Sequence, residues 1–206
     1  VFICCFIVNT HIGTASQNDD MNWTEVKTEL SNFNAIACNG KLFVAAGKDG
    51  IIKTSYDGID WTDRISNTKN ELLDIIWDGK KFVVTGNGTT VLTSSDGITW
   101  NNIRPWGLAQ NSSISRILWA GEKYVVCTQF GIYSSKDFSS WEGIWINDKD
   151  INGSVGNYIV DFAWNGKEYI GIDNMGSLKI LTGGSKWANM KISGQNEAFY
   201  YTRVEW

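Results

Sequence analysis

A turn sequence that returns at a fixed interval constrains this chain more than any other feature. Thr93-Ser94-Ser95-Asp96-Gly97-Ile98-Thr99-Trp100 has a close copy, Thr54-Ser55-Tyr56-Asp57-Gly58-Ile59-Asp60-Trp61, 39 residues earlier. A third copy, Ser134-Ser135-Lys136-Asp137-Phe138-Ser139-Ser140-Trp141, follows 41 residues later. A period near 40 marks a repeat array, in which each unit is too small to bury its own apolar faces and must stack on its neighbours.

Aligning the copies resolves four runs per unit. In the second unit the run 72–77 is closed by Asp78-Gly79-Lys80, and the run 81–85 by Gly86-Asn87-Gly88. The run 90–94 is turned by Asp96-Gly97 into a fourth run, 98–103. Each is short, rich in β-branched and aromatic residues and bounded by Gly with Asn or Asp, which predicts a four-stranded antiparallel meander. The other units match in phase. Asn39-Gly40, Ala120-Gly121 and Asn165-Gly166 stand at the first turn, and Trp23, Trp61, Trp100, Trp141 and Trp187 close successive units. The fourth unit keeps only that Trp, and a fifth begins at Tyr201. Meanders at this period are blades of a β-propeller. The expected blades are 33–66, 71–104, 114–146 and 158–192, with a lone strand near 21–26, a partial blade at 199–206, and the whole read as a fragment.

Composition agrees. Eleven Trp, 21 Gly and one Pro suit short strands with tight turns. A net charge of −4 without any Lys/Arg block argues against a nucleic-acid partner. Residues 1–8 are apolar and too few to cross a bilayer, which needs about 20. With Gly13-Thr14-Ala15-Ser16 behind them they read as a secretory signal over 1–16, leaving the propeller at 17–206 and a secreted or cell-surface protein. Cys4 and Cys5 leave with that segment, as does His11, the only histidine. Cys38 and Cys127 fall in units that are not neighbours and are expected to be small buried apolar residues rather than a disulfide. No metal-type Cys/His spacing occurs, and no cofactor is implied.

The Ser-x-Asp-Gly-x-x-Trp copies resemble the Asp-box of the BNR repeat family, one residue tighter than its usual Ser-x-Asp-x-Gly-x-x-Trp. The full unit, Trp-Asn-Gly-Lys-x-Phe-Val-x-x-Gly followed by the box, is similar to secreted bacterial BNR-like propellers over roughly 21–206, and more distantly to photosystem II assembly-factor propellers. The box residues are Ser55, Asp57, Gly58 and Trp61; Ser94, Asp96, Gly97 and Trp100; Ser135, Asp137 and Trp141. Their role reads as structural. An Asp one residue before a turn Gly accepts N–H groups of its own hairpin, and the Gly takes the positive-φ corner.

Sialidases carry Asp-boxes too, and the resemblance implies for them an arginine triad with a Tyr/Glu nucleophile pair. This chain offers only Arg64, Arg104, Arg116 and Arg203, and lacks the Phe/Tyr-Arg-Ile-Pro opening. A xyloglucanase-like site needs two carboxylates facing across a cleft. No Gly-x-Ser-x-Gly, histidine dyad or phosphate loop is present. The expected function is a non-catalytic binding or assembly module for protein or glycan. The alternative is a glycoside hydrolase whose site is incomplete in this fragment.

Two constellations remain. The connections after the second and third blades are long, about 104–113 and 145–158, and carry Arg104, Trp106, Gln110, Trp145, Asn147, Asp148 and Asp150. Long loops on a rigid scaffold are where binding resides. They are expected at the end of the blades opposite the Asp-boxes, with Arg104, Trp106, Trp145, Asn147 and Asp148 as an aromatic and polar patch. Pro105 ends a strand and sets Trp106 in the loop, whereas Trp145 is close enough to Trp141 to remain strand. Second, Asp74, Arg116, Asp161 and Arg203 stand three residues before each first-strand aromatic, where the first blade has Ala35. Alternating signs on neighbouring strands predict salt bridges between blades.

Overall fold

The computed structural model describes residues 7–8, 11–12, 32–146, 159–182 and 186–189. The chain forms two compact units, Val1–Ile103 and Arg104–Trp206. In the first, β1 (Ile7–Val8) pairs antiparallel with β2 (His11–Ile12), inside the segment read as a signal. Two blades follow: β3 (Phe33–Cys38), β4 (Phe43–Gly47), β5 (Ile52–Ser55) and β6 (Thr62–Arg64), then β7 (Leu72–Trp77), β8 (Phe82–Gly86), β9 (Thr90–Ser94) and β10 (Asn101–Ile103). The second unit holds β11 (Ile114–Trp119), β12 (Tyr124–Thr128), β13 (Gly131–Ser135) and β14 (Glu142–Ile146), then β15 (Ile159–Trp164), β16 (Tyr169–Asp173), β17 (Leu178–Thr182) and β18 (Lys186–Asn189). Every blade is an antiparallel meander in chain order. The strands read at 21–26 and 199–206 lie outside the described residues.

Sequence decides which strands sit deepest. The second strands of the first three blades, Phe43–Gly47, Phe82–Gly86 and Tyr124–Thr128, are buried along their whole length. They are continuous apolar runs instead of alternating ones because both faces are covered. In the first unit one core joins the two blades: Leu42, Val44 and Ile52 pack with Leu72, Ile75, Phe82, Leu92 and Trp100. In the second, Val125, Cys127 and Ile132 pack with Ile159 and Phe162. The first strands of adjacent blades lie side by side, β3 with β7 and β11 with β15.

Each first strand carries a bulge at the same phase, between Phe33 and Ala35, Leu72 and Asp74, Ile114 and Arg116, and Ile159 and Asp161. A bulge leaves backbone groups off the ladder, and neighbouring groups take them up. Asp74 and Asp161 each accept the N–H of the next residue, at 2.9 Å. The carbonyl that opens the bulge is bonded from the preceding blade, by Asn34 Nδ2 to Leu72 O in the first unit and by Cys127 Sγ to Ile159 O in the second, both at 2.8 Å. Neither Cys38 nor Cys127 is in a disulfide.

The turns use side chains as acceptors. Asn39, Asp78 and Asn165 each accept two N–H groups of the first hairpin through one Oδ1. The fourth strand of the second blade is shorter than the 98–103 read from sequence, spanning Asn101–Ile103. Asp96 Oδ1 binds the N–H groups of Ile98 and Thr99, both at 2.8 Å, and so withholds them from the ladder.

Candidate binding site

The first two repeated turns share one bond set. In the first, Ser55 Oγ donates to Asp57 Oδ1 at 2.9 Å and accepts from Gly58 N at 2.8 Å. Asp57 Oδ1 accepts from Ile59 N and Asp60 N, and Trp61 Nε1 donates to Gly58 O at 3.0 Å. Ser94, Asp96, Gly97 and Trp100 repeat it, with the indole bond at 3.1 Å. Backbone N–H donors, from Ile59 and Asp60 at Asp57 and from Thr99 and Ile98 at Asp96, hold both carboxyls below the usual aspartate value. These carboxylates are engaged by their own hairpins.

The third turn departs from the pattern. Phe138 occupies the glycine position with φ 69° and is buried, stacked on Tyr124 with ring centroids 4.3 Å apart. Ser135 Oγ still accepts Phe138 N, at 2.9 Å, and Asp137 accepts the hydroxyl and N–H of Ser139. The Trp141 indole N–H, however, is buried with no acceptor among the described residues.

The connection 104–113 lies against this turn. Pro105 and Leu108 are buried, while Trp106 between them is 69% exposed. The guanidinium carbon of Arg104 stands 5.7 Å from the Trp106 ring centroid, within cation–π range. A methyl group on Gly107 would stand 3.7 Å from Trp141 N, just ahead of β14. At its far end, Ser113 N donates to Gln129 Oε1 at 2.8 Å, in the turn between β12 and β13. Six residues reach about 20 Å, enough to run the length of a five-residue strand of about 17 Å.

This path corrects the sequence reading. The loop carrying Trp106, expected at the end of the blade away from the repeated turns, instead brings Gly107 against Trp141 at the third turn, with Pro105 and Leu108 buried on either side. Trp145, counted with the second long loop but close enough to Trp141 to remain strand, is strand: it lies in β14 opposite Ile132, because the fourth strand of this blade runs two residues longer than β6 or β10. Asn147 and Asp148 lie outside the described residues, as does Arg203. Arg116 Nε and Asp161 Oδ1 meet at 2.8 Å in the second unit.

One site escaped the sequence reading. Asp173 is 1% exposed; its Oδ1 accepts Met175 N at 3.0 Å and Ser177 N at 2.8 Å, and its Oδ2 meets Lys179 Nζ at 3.0 Å. Burial pushes its carboxyl up, but the Ser177 N–H and the Lys179 ammonium outweigh that and leave it below the usual value. The signal is Asp173 two residues before Met175 and three before Gly176, in the one blade that lacks a box Asp. Among the described residues no group of three or more His, Cys, Asp or Glu is placed to hold a metal ion.

No family model matches the sequence, and no curated protein matches it. Solved structures do match. YCF48 bound to a D1 peptide has a TM-score of 0.63 at 16% identity, covering 87% of this chain and 59% of that one. The extracellular domain of the hybrid two component system BT4673 from B. thetaiotaomicron has a TM-score of 0.66 at 12% identity, covering 97% of this chain and 29% of that one. The WD40 beta propeller domain of Doa1 has a TM-score of 0.56 at 8% identity, covering 84% and 58%. The chain thus spans less than two thirds of each of these. The shared fold is a β-propeller of four-stranded antiparallel blades.

Proposed function

We propose that this propeller is a non-catalytic binding or assembly module of the Asp-box type, exported through its N-terminal segment, that takes a segment of a partner protein on the loop 104–113. The observation that carries the reading is Trp106: a large aromatic, 69% exposed, on a loop pinned by buried neighbours on both sides. Exposed aromatics backed by arginine are the residues that dominate binding energies at protein interfaces. The non-catalytic reading is supported by the turn carboxylates, which are consumed by their own hairpins, and by Asp161 and Asp173, which are paired. The peptide carried by YCF48 and the extracellular placement of the BT4673 domain are consistent with it. Glycan binding is the second reading, favoured by the free face of the indole, on which a sugar ring stacks.

The test is a displayed-peptide library and a glycan array, each probed with wild type and Trp106→Ala. Peptide hits that the variant loses at an unchanged melting temperature support the reading. If the variant keeps every hit, the loop is not the site; if only glycans bind, the second reading replaces the first.

A further inference from the structure

The partner's chemistry is written in the charge beside Trp106. Three other cations of this unit are neutralised: Arg116 by Asp161, Lys123 by Glu142 at 3.0 Å, and Lys179 by Asp173. Arg104 faces no carboxylate among the described residues; it is exposed and its guanidinium is held over the Trp106 ring. A guanidinium drawn to an indole by cation–π attraction keeps N–H donors for a carboxylate, which it can bind through two parallel hydrogen bonds. The shelf is also preorganised, because Pro105 fixes the backbone between the two residues and is itself buried.

The ground beneath it breaks the repeat. Gly107 abuts Trp141, whose turn has given up the glycine and the indole hydrogen bond that the first two turns keep. Departures from an otherwise consistent local pattern gather at functional sites. The loop against this turn carries Trp106, 69% exposed.

Resting on the reading above, we infer that the Arg104–Trp106 shelf selects an acidic peptide: an extended segment whose Asp or Glu carboxylate takes the guanidinium edge while an adjacent apolar side chain packs on the free indole face. A peptide fits better than a small acid because the shelf is an open surface, which gives a compact ligand contact on one side only.

The probes are two labelled peptides, acetyl-Leu-Glu-Leu-Glu-Leu-Glu-amide and its all-Gln counterpart, titrated by fluorescence anisotropy at low and high salt. The Glu peptide is expected to bind wild type roughly tenfold more tightly than the Gln peptide, the size of one charge-assisted hydrogen bond, and to weaken with salt. Arg104→Gln removes the preference, and Arg104→Lys restores part of it. Both residues are exposed, so unchanged thermal unfolding of the variants is the control for folding. Equal binding of the two peptides, or a preference that survives Arg104→Gln, overturns the inference; if that binding still needs Trp106, the protein-binding reading stands without it. Binding of glucuronate-bearing glycans but neither peptide overturns both.

Discussion

At the scale of single residues, two glycines with similar φ do different work. Gly58 and Gly97 both sit at left-handed corners, φ 79° and 74°, in equivalent turns. Nothing lies within 4 Å of a Cβ on Gly58, whereas on Gly97 it would stand 2.7 Å from Leu42 Cδ2 and 3.2 Å from Val44 Cγ2 of the neighbouring blade. Gly58→Ala is therefore expected to cost about 1 kcal/mol, the backbone penalty alone. Gly97→Ala adds overpacking and is expected to cost roughly 2–3 kcal/mol. Urea unfolding of the two variants checks this; equal losses would mean that the turn of the second blade does not pack on the first. The box carboxylates themselves are modest contributors. Their N–H partners are solvent-exposed, so Asp96→Ala is expected to cost about 1 kcal/mol, the scale of a side-chain cap in water. Phe138 shows that even the glycine is replaceable when the new side chain finds a core to enter.

At the scale of the strand, the bulge is the recurring device, and Asp74, Arg116 and Asp161 of the charge ring are its second members. Asp161 holds both its own backbone and Arg116 of the adjacent blade, with side chains 8% and 20% exposed. Removing Arg116 alone takes away a guanidinium that stands 2.8 Å from a buried carboxylate. Arg116→Met is expected to destabilise by roughly 2–4 kcal/mol, and a cycle with Asp161→Leu to give a coupling energy above about 1 kcal/mol. Additive losses would remove the pair from the account of blade stacking. Strands and turns are legible in the sequence because they are set by neighbours along the chain: Asp78 and Asn165 cap hairpins that begin at their own positions. The seam is not. Asn34 to Leu72 O and Cys127 to Ile159 O join residues 38 and 32 positions apart, and no periodicity announces a bulge. Nor does the sequence give a loop's direction. Pro105 marks the end of a strand correctly, but the approach of Gly107 to Trp141 joins residues far apart in sequence, and no local signal announces it. Asp173 is hard to see because its turn lacks the repeated Ser and Trp.

At the scale of the molecule, the repeats sum. The carboxyls of Asp57, Asp96, Asp137 and Asp173 are all held below the ordinary value of 3.8, the first two by backbone N–H donors, Asp137 by Ser139, and Asp173 by bonds that outweigh its burial. A group whose folded pKa is depressed binds its proton more readily when unfolded. Its stabilisation is complete above 3.8 and lost as pH falls through the lower folded value. Stability is thus expected to fall below about pH 4, and less so in an Asp57→Ala/Asp96→Ala variant; identical acid profiles would show that these turns do not contribute to acid unfolding. Cys127 does not add to this, since burial pushes its thiol up to about 12, far from the acid range. The central claim is a division of labour: regular turns build the blades, and the irregular third turn with its loop binds the partner. The most direct measurement pairs melting temperature with peptide affinity in Asp96→Ala and Trp106→Ala. The account predicts that Asp96→Ala melts lower and binds as wild type, while Trp106→Ala melts as wild type and loses binding. The reverse pattern, with affinity tracking Asp96, would contradict it.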